Sequence, residues 1–107
     1  MYEAILAAAG INGRGTRFTK PPTGTYAVGF DNIDGTDGPD NMPPCIFYHS
    51  VRIELYEPKK DPAAVNALEA ELTRCGAQWT KLDRVWIASE QMYQTIYVFT
   101  YIEKRRT

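Results

Sequence analysis

The sequence predicts an α+β domain: an antiparallel sheet of about four to five strands, with a main helix at about residues 62–75 and a short N-terminal helix packed on one face. Two observations lead to this prediction. The 107 residues are enough for one ordinary domain and too few for two cores, so we expect a single domain over residues 1–107. One segment repeats apolar side chains with the period of a helix, whereas two long segments have the alternation or the aromatic and β-branched composition of strands.

The N-terminal segment predicts a short helix followed by a connector. Apolar side chains fall on one helical face at Tyr2, Ile5, Leu6 and Ala9. Gly10 is a suitable stop for this helix. Residues 10–24 are rich in glycine and contain a proline pair, which predicts a connector with one short strand near residues 16–18. Residues 25–30 are β-prone and form the first firm strand.

Residues 31–44, with the sequence DNIDGTDGPDNMPP, predict a long loop. Three prolines and two glycines disfavour a regular element there. Aspartates recur at every third position, at Asp31, Asp34, Asp37 and Asp40. Their spacing lacks the D-x-D-x-D-G pattern and the distal glutamate of an EF-hand. We therefore interpret the loop as solvated and acidic, with calcium binding as the alternative.

The clearest elements are a strand at residues 45–56 and the main helix at residues 62–75. Along the strand, apolar side chains alternate with polar ones, which predicts one face on a core. Asp61 before Pro62 is typical of a helix N-cap followed by a proline in the first turn, and Gly76 supplies the position after the C-cap. The helix buries one stripe of side chains: Val65, Leu68, Leu72 and Cys75.

The C-terminal segment completes the sheet. Residues 77–82 and 84–88 predict two short strands, and residues 92–102 predict a long strand with two apolar faces. We expect the main helix to cover the face that carries Ile96 and Val98. The opposite face is aromatic and would close a subunit interface, or else be covered by the N-terminal strands of the same chain. Its side chains are Tyr93, Tyr97, Phe99 and Tyr101.

No combination of residues predicts a catalytic site or a metal centre, so we expect a protein that is not an enzyme and uses no cofactor. Nucleophilic catalysis needs a base beside its nucleophile. The single histidine, His49, lies about 13 Å along the strand from Cys45, and Ser50 points to the opposite face. Cys45 and Cys75 lack the paired spacing of zinc ligands, and we interpret them as reduced core side chains. His49 is assigned a packing role.

Charge and hydropathy argue against two further classes of protein. The net charge of −1 disfavours nucleic-acid binding driven by an overall positive field. The sequence contains no run of 18 apolar residues, so we expect no membrane partner.

From Phe47 onward, the order of elements resembles the tail-completion, or tail-terminator, proteins of siphophages and prophages. The resemblance covers roughly two thirds of the chain. It rests on the junction between strand and helix and on the segment WIASEQMYQ at residues 86–94. The junction residues are Tyr56, Lys59, Lys60, Asp61 and Pro62. The sequence departs from the family in its short first helix and in the glycine-rich residues 10–24.

The resemblance implies a structural virion protein that forms a ring, typically of six subunits, at the head-proximal end of the tail tube. Its partners would be further copies of itself, the tail tube protein and the head–tail connector or head-closure protein, while DNA passes through the channel without specific binding. Such a protein is made in the cytoplasm of the host bacterium and resides in the neck of the virion. The acidic loop would then line the channel or meet the next ring. The alternative is a small dimeric domain that binds a ligand or regulates another protein.

Overall fold

The computed structural model describes residues 2–14, 24–40 and 42–105, and within those ranges it contains two helices and six strands. The elements are α1 Tyr2–Ala9, β1 Asn12–Arg14, β2 Tyr26–Asp37, β3 Ile46–Glu57, α2 Pro62–Arg74, β4 Thr80–Lys81, β5 Val85–Ile87 and β6 Met92–Lys104. One sheet has the strand order β1-β2-β3-β6-β4, and β5 also pairs with β6. All pairings are antiparallel except that of β1 with β2. The predicted α+β fold is confirmed, while the strand expected near residues 16–18 lies outside the described residues.

The ends of both helices follow the local sequence signals. α1 stops before Gly10, whose φ of +72° suits glycine. Asp61 caps α2 by accepting a hydrogen bond from the backbone N–H of Ala64 at 3.2 Å. The C-cap is Cys75, which is exposed and does not belong to the core as expected; Cys45 is half-buried, and both thiols are free.

The prediction of a long loop at residues 31–44 is wrong over its first half. β2 continues to Asp37 and pairs with β3 along its whole length, with one irregularity where Asp34 is skipped between Ile33 and Gly35. The long β3 strand offers backbone partners that local composition does not reveal. β1 accompanies β2 only at its start, so the acidic part of β2 is an edge strand, where charged side chains reach water. The three prolines lie beyond the strand, in the connection at residues 38–45.

The outer part of the sheet extends away from the helices. The molecule measures 52 × 28 × 22 Å and has a radius of gyration of 15.7 Å, against about 13 Å for a compact domain of this length. The extension, here called the arm, consists of residues 31–40 and 42–49 of the β2–β3 hairpin together with residues 101–105 at the end of β6. Its outer end, residues 37–40 and 42–45, is called the tip.

Both helices pack on one face of the sheet and form the main core there. The side chains at its centre are Ile5, Leu6, Ala27, Val51, Ile53, Leu55, Leu68, Leu72, Tyr97 and Phe99. Leu68 and Leu72 thus contact the sheet on the face that carries Val51 and Ile53, as the helical spacing predicts. Gly29 lies under the ring of Tyr2, where an added Cβ would come within 2.2 Å of the ring, so glycine permits α1 to approach the sheet.

The prediction of which face of β6 the main helix covers is wrong. α2 covers the side that carries Tyr97 and Phe99, which are 0% and 4% exposed. Ile96 and Val98 lie on the opposite, helix-free side and are half-buried. The sequence offers two apolar faces of similar character, and only the packing of the helices distinguishes them.

Replacement of Leu68 by alanine should lower the free energy of unfolding by about 2–5 kcal/mol, because it leaves a cavity in a fully buried site. Urea unfolding followed by circular dichroism measures the change. Leu82→Ala is the control, since Leu82 is 46% exposed and its truncation should change stability by about 0.5 kcal/mol or less. Equal effects of the two substitutions would contradict the described register of α2.

The double substitution Tyr97→Ser with Phe99→Ser should unfold the chain. Both rings belong to the main core, and their loss removes its largest contributions from β6. The far-ultraviolet circular dichroism spectrum should be that of an unfolded protein at room temperature. A folded monomer would instead restore the idea that these rings form only a subunit interface.

Candidate interaction surfaces

The aromatic residues predicted to form a subunit interface are divided among three environments. Tyr97 and Phe99 lie in the core of the single chain, and the hydroxyl of Tyr97 donates to Glu69 Oε2 at 2.8 Å. Tyr101 is half-buried at the root of the arm. Tyr93, at the other end of β6, is also half-buried and packs edge-on against the exposed Trp86. The structure therefore does not bring the four together as one exposed face.

His49 lies at the root of the arm and connects its three strands. Its Nδ1 lies 2.6 Å from Asp31 Oδ1 on β2, and its Nε2 lies 2.8 Å from Glu103 Oε1 on β6. The ring stacks on Tyr101, with centroids 4.3 Å apart, and the Tyr101 hydroxyl donates to Asp31 Oδ2 at 2.8 Å. His49 is only 7% exposed. The single histidine is thus part of a polar cluster whose members are distant in sequence.

The electrostatics of this cluster favour a charged imidazolium. The hydrogen bonds to Asp31 and then to Glu103 raise the pKa of His49. Arg105, whose guanidinium lies 3.0 Å from Glu103, and then His49 lower the pKa of the Glu103 carboxyl. Burial and the bond to Asp31 raise the pKa of Tyr101 to about 12. The cluster therefore combines two carboxylates with two cations.

The geometry of the cluster is that of a structural network. Both ring nitrogens of His49 face carboxylates, so in this arrangement neither is available to abstract a proton from a bound molecule. Among the described residues, no group of three or more histidine, cysteine or acidic side chains could hold a metal ion. The sequence signal that could have found the network was the position of His49 on a long strand, but its partners required the strand register.

The other predicted aspartates lie further out on the arm. Asp34 accepts a hydrogen bond from Ser50, and Asp37 accepts one from the backbone N–H of Gly38 at 2.8 Å. Asp40 is exposed in the tip. Asp31 is separate from them because it is engaged by His49 and Tyr101, so the acidic residues do not act as one set of four.

A second polar and aromatic cluster lies at the end of the sheet opposite the tip and was not predicted. The ring of Tyr93 is flanked by Lys60 Nζ at 5.7 Å, by Arg84 Cζ at 5.8 Å and by the Trp86 ring at 4.8 Å. Arg84 also pairs with the fully buried carboxylate of Glu57 at 3.3 Å. Cations over aromatic faces are attracted by the ring quadrupole. With Lys59, which is exposed beside Lys60, these residues form what is called here the basal patch.

The two segments that carry the sequence resemblance meet in the basal patch. One supplies Lys59 and Lys60 from the junction before α2, and the other supplies Trp86 and Tyr93 from β5 and β6. The segments are about 26 residues apart in sequence and become neighbours because the end of β3, at Glu57, pairs with Tyr93 at the start of β6. Sequence order alone does not show this proximity.

The helix-free face of the sheet is partly covered by its own side chains. Tyr26 and Tyr56 stack with centroids 5.0 Å apart and pack with Val28 near the base of the sheet. The carboxylate of Glu54 accepts a hydrogen bond from the Tyr56 hydroxyl at 2.8 Å and pairs with Arg52. Large apolar side chains that remain exposed form two groups, Ile33, Met42, Tyr48 and Ile102 on the arm and Leu82, Val85 and Trp86 near the base. Both groups are candidate contacts for another chain.

No helix within the described ranges combines the length and the apolar character that a membrane span requires.

Replacement of His49 by glutamine should remove a pH-dependent part of the stability. Because the pKa of His49 is raised from 6.5 in the folded chain, its charge contributes stability that is fully present below pH 6.5 and is lost as the pH rises through the folded pKa. Urea unfolding measures the free energy of unfolding at about pH 6 and about pH 9. Between these two pH values it should fall more in the wild type than in His49→Gln. The same pH dependence in both proteins would show that the imidazolium does not stabilise the arm.

Comparisons with known proteins add a likeness of fold. No family model matches the chain, and no curated protein sequence matches it. One chain of a solved structure, described as the virion of a native gene transfer agent (GTA) particle, is similar with a TM-score of 0.57 over 94% of this chain and 84% of that chain. The sequence identity is 14%, so what the two chains share is the fold.

Proposed function

We propose that this chain is a structural protein of a phage-like virion, and specifically a ring-forming tail terminator that caps the tail tube and joins it to the head connector. The observation that carries the proposal is the fold shared over 94% of the chain with a component of a gene transfer agent virion. Two further features support it. The resemblance to tail-terminator proteins rests on segments that meet in the basal patch, and the exposed apolar side chains lie in two separate groups.

The separation of these groups fits a ring better than a two-fold dimer. A two-fold dimer uses one self-complementary surface, whereas a cyclic ring uses two different surfaces on each subunit. The exposed arm residue Ile102 and the basal residue Tyr93 lie on one strand about 30 Å apart. Each subunit can therefore contact a different neighbour at each end.

The proposed role requires no catalysis and no cofactor from the chain. The ring would sit in the neck of the virion, between the tail tube protein and the head–tail connector, with DNA passing through its channel. The net charge of −1 disfavours tight retention of DNA. Asp34, Asp37 and Asp40 remain candidates for a surface that meets the channel or an adjoining chain, whereas Asp31 is committed to His49.

Native mass spectrometry of the full chain tests the ring. Six copies of the 12.1 kDa chain give a mass of about 73 kDa, and negative-stain images of the same sample should show rings with a central opening. A single species of about 24 kDa at all concentrations would contradict the ring and favour the alternative of a small dimeric binding or regulatory domain.

Localisation on intact particles tests the position in the virion. An antibody against the chain should label the junction of head and tail in electron micrographs of particles from the source organism. Label along the whole tail tube or on the head surface would contradict the tail-terminator role but would still agree with a virion protein. Absence of the chain from purified particles would contradict both the tail-terminator role and the assignment as a virion protein.

A further inference from the structure

The two ends of the molecule carry unlike charges that lack partners within the described chain. In the tip, Asp37 and Asp40 pair with no cation among the described residues. At the base, Lys59 and Lys60 make no ion pair with any described residue, although Lys60 lies over the ring of Tyr93. β3 separates the two ends by about 36 Å, so the tip cannot reach the basal patch of its own chain. Any pairing between them must be intermolecular.

The non-polar parts of the two ends are also complementary. Met42 in the tip is 53% exposed, and Trp86 in the basal patch is 48% exposed. A thioether makes favourable contacts with aromatic rings, while carboxylates of the tip would meet the cations that surround Tyr93. Of the cations described near the tip, Arg105 is engaged by Glu103 and stacks on Phe47 at 3.9 Å. Lys104 lies opposite Ile46, so the two carboxylates of Asp37 and Asp40 outnumber the one cation that no ion pair engages.

We propose that the acidic tip of one subunit docks on the basal patch of the next copy of the same chain, forming a head-to-tail contact. The proposal rests on the ring-forming function and specifies the surfaces that join its subunits. A contact between two different patches on identical chains is heterologous, and it closes into a ring when the rotation between neighbours allows. The arm then bridges neighbouring subunits, and its strands connect the tip to the rest of its own subunit.

A nucleic-acid backbone is the competing occupant of the basal patch, since lysines with an exposed tryptophan can also bind phosphates and bases. Two observations favour a second copy. The chain has no excess of positive charge overall, and it carries its own complementary surface in the tip. DNA binding is therefore treated as an outcome of the test.

The test reverses charge at each end of the full chain. The tip variant is Asp37→Lys with Asp40→Lys, and the basal variant is Lys59→Glu with Lys60→Glu. Each alone places like charges in the contact and should raise the concentration of half-assembly, measured by light scattering, by about tenfold or more. An equimolar mixture should recover assembly through rings of alternating variants, because each reversed end meets an opposite charge only on the other variant.

Matched controls separate this contact from a general effect of charge. Arg74→Glu on α2 and Glu3→Lys on α1 make the same kinds of charge reversal at exposed positions away from the tip and the basal patch, and they should shift half-assembly by about twofold or less. All variants are first compared with the wild type by thermal melting. A combined chain with all four substitutions should also assemble, since both of its ends are reversed.

The outcomes distinguish this inference from the proposed function. Rings that form normally in the tip variant and the basal variant overturn the head-to-tail contact and leave the ring function standing, whereas a wild type that never forms rings removes both. If the folded variants do not assemble alone and their mixture does not regain assembly, the head-to-tail contact is overturned. A short labelled DNA duplex whose binding is lost only in the basal variant, with assembly unchanged, assigns the patch to nucleic acid instead.

Discussion

The pairing of three long strands is the constraint on which the rest of the structure depends. β3 lies between β2 and β6 and is matched to β6 over its full twelve residues. This pairing brings together side chains that are distant in the sequence and places the two helices on one common face. It also produces an asymmetry, because the helices cover the base of the sheet and leave the outer part without a core. The main core and the arm are therefore consequences of the same three strands.

The arm needs stabilisation of a different kind from the body. A sheet without a hydrophobic layer is marginal, because backbone pairing alone contributes little net free energy. At the root of the arm, His49 meets one carboxylate on each neighbouring strand and a tyrosine ring beneath it. A buried imidazolium held by two carboxylates is directional, so it favours one alignment of the strands. The cluster thus occupies the point where the hydrophobic core ends.

The distribution of polar groups gives the molecule two unlike ends. The edge position of β2 leaves Asp34 and Asp37 exposed to water, and the prolines lie in the short connection that forms the tip. At the base, the return of β5 onto β6 places Trp86 against Tyr93, and the turn between β3 and α2 adds Lys60. An elongated subunit with different surfaces at its ends suits repetition around an axis, which is the arrangement that the proposed virion ring requires.

Elements governed by neighbouring residues could be predicted from the sequence. The N-cap at Asp61, the glycine stops and the buried stripe of α2 depend on interactions within about four residues, and apart from the exposed Cys75 they occur where expected. The alternation of β3 likewise predicted a long strand with one face on a core. These signals were sufficient for the α+β class because each reflects hydrogen bonding or burial within a single element.

What only the tertiary structure decided involves partners far apart in the sequence. β2 extends to Asp37 because β3 supplies its backbone partners, although glycines and aspartates locally favour a loop. Tyr97 and Phe99 are core residues because both helices pack on their side of β6, a choice that two similar apolar faces do not determine. The charged network of His49 and the basal patch likewise exist only through strand register, since the free energy of such contacts depends on distances that the chain acquires when it folds.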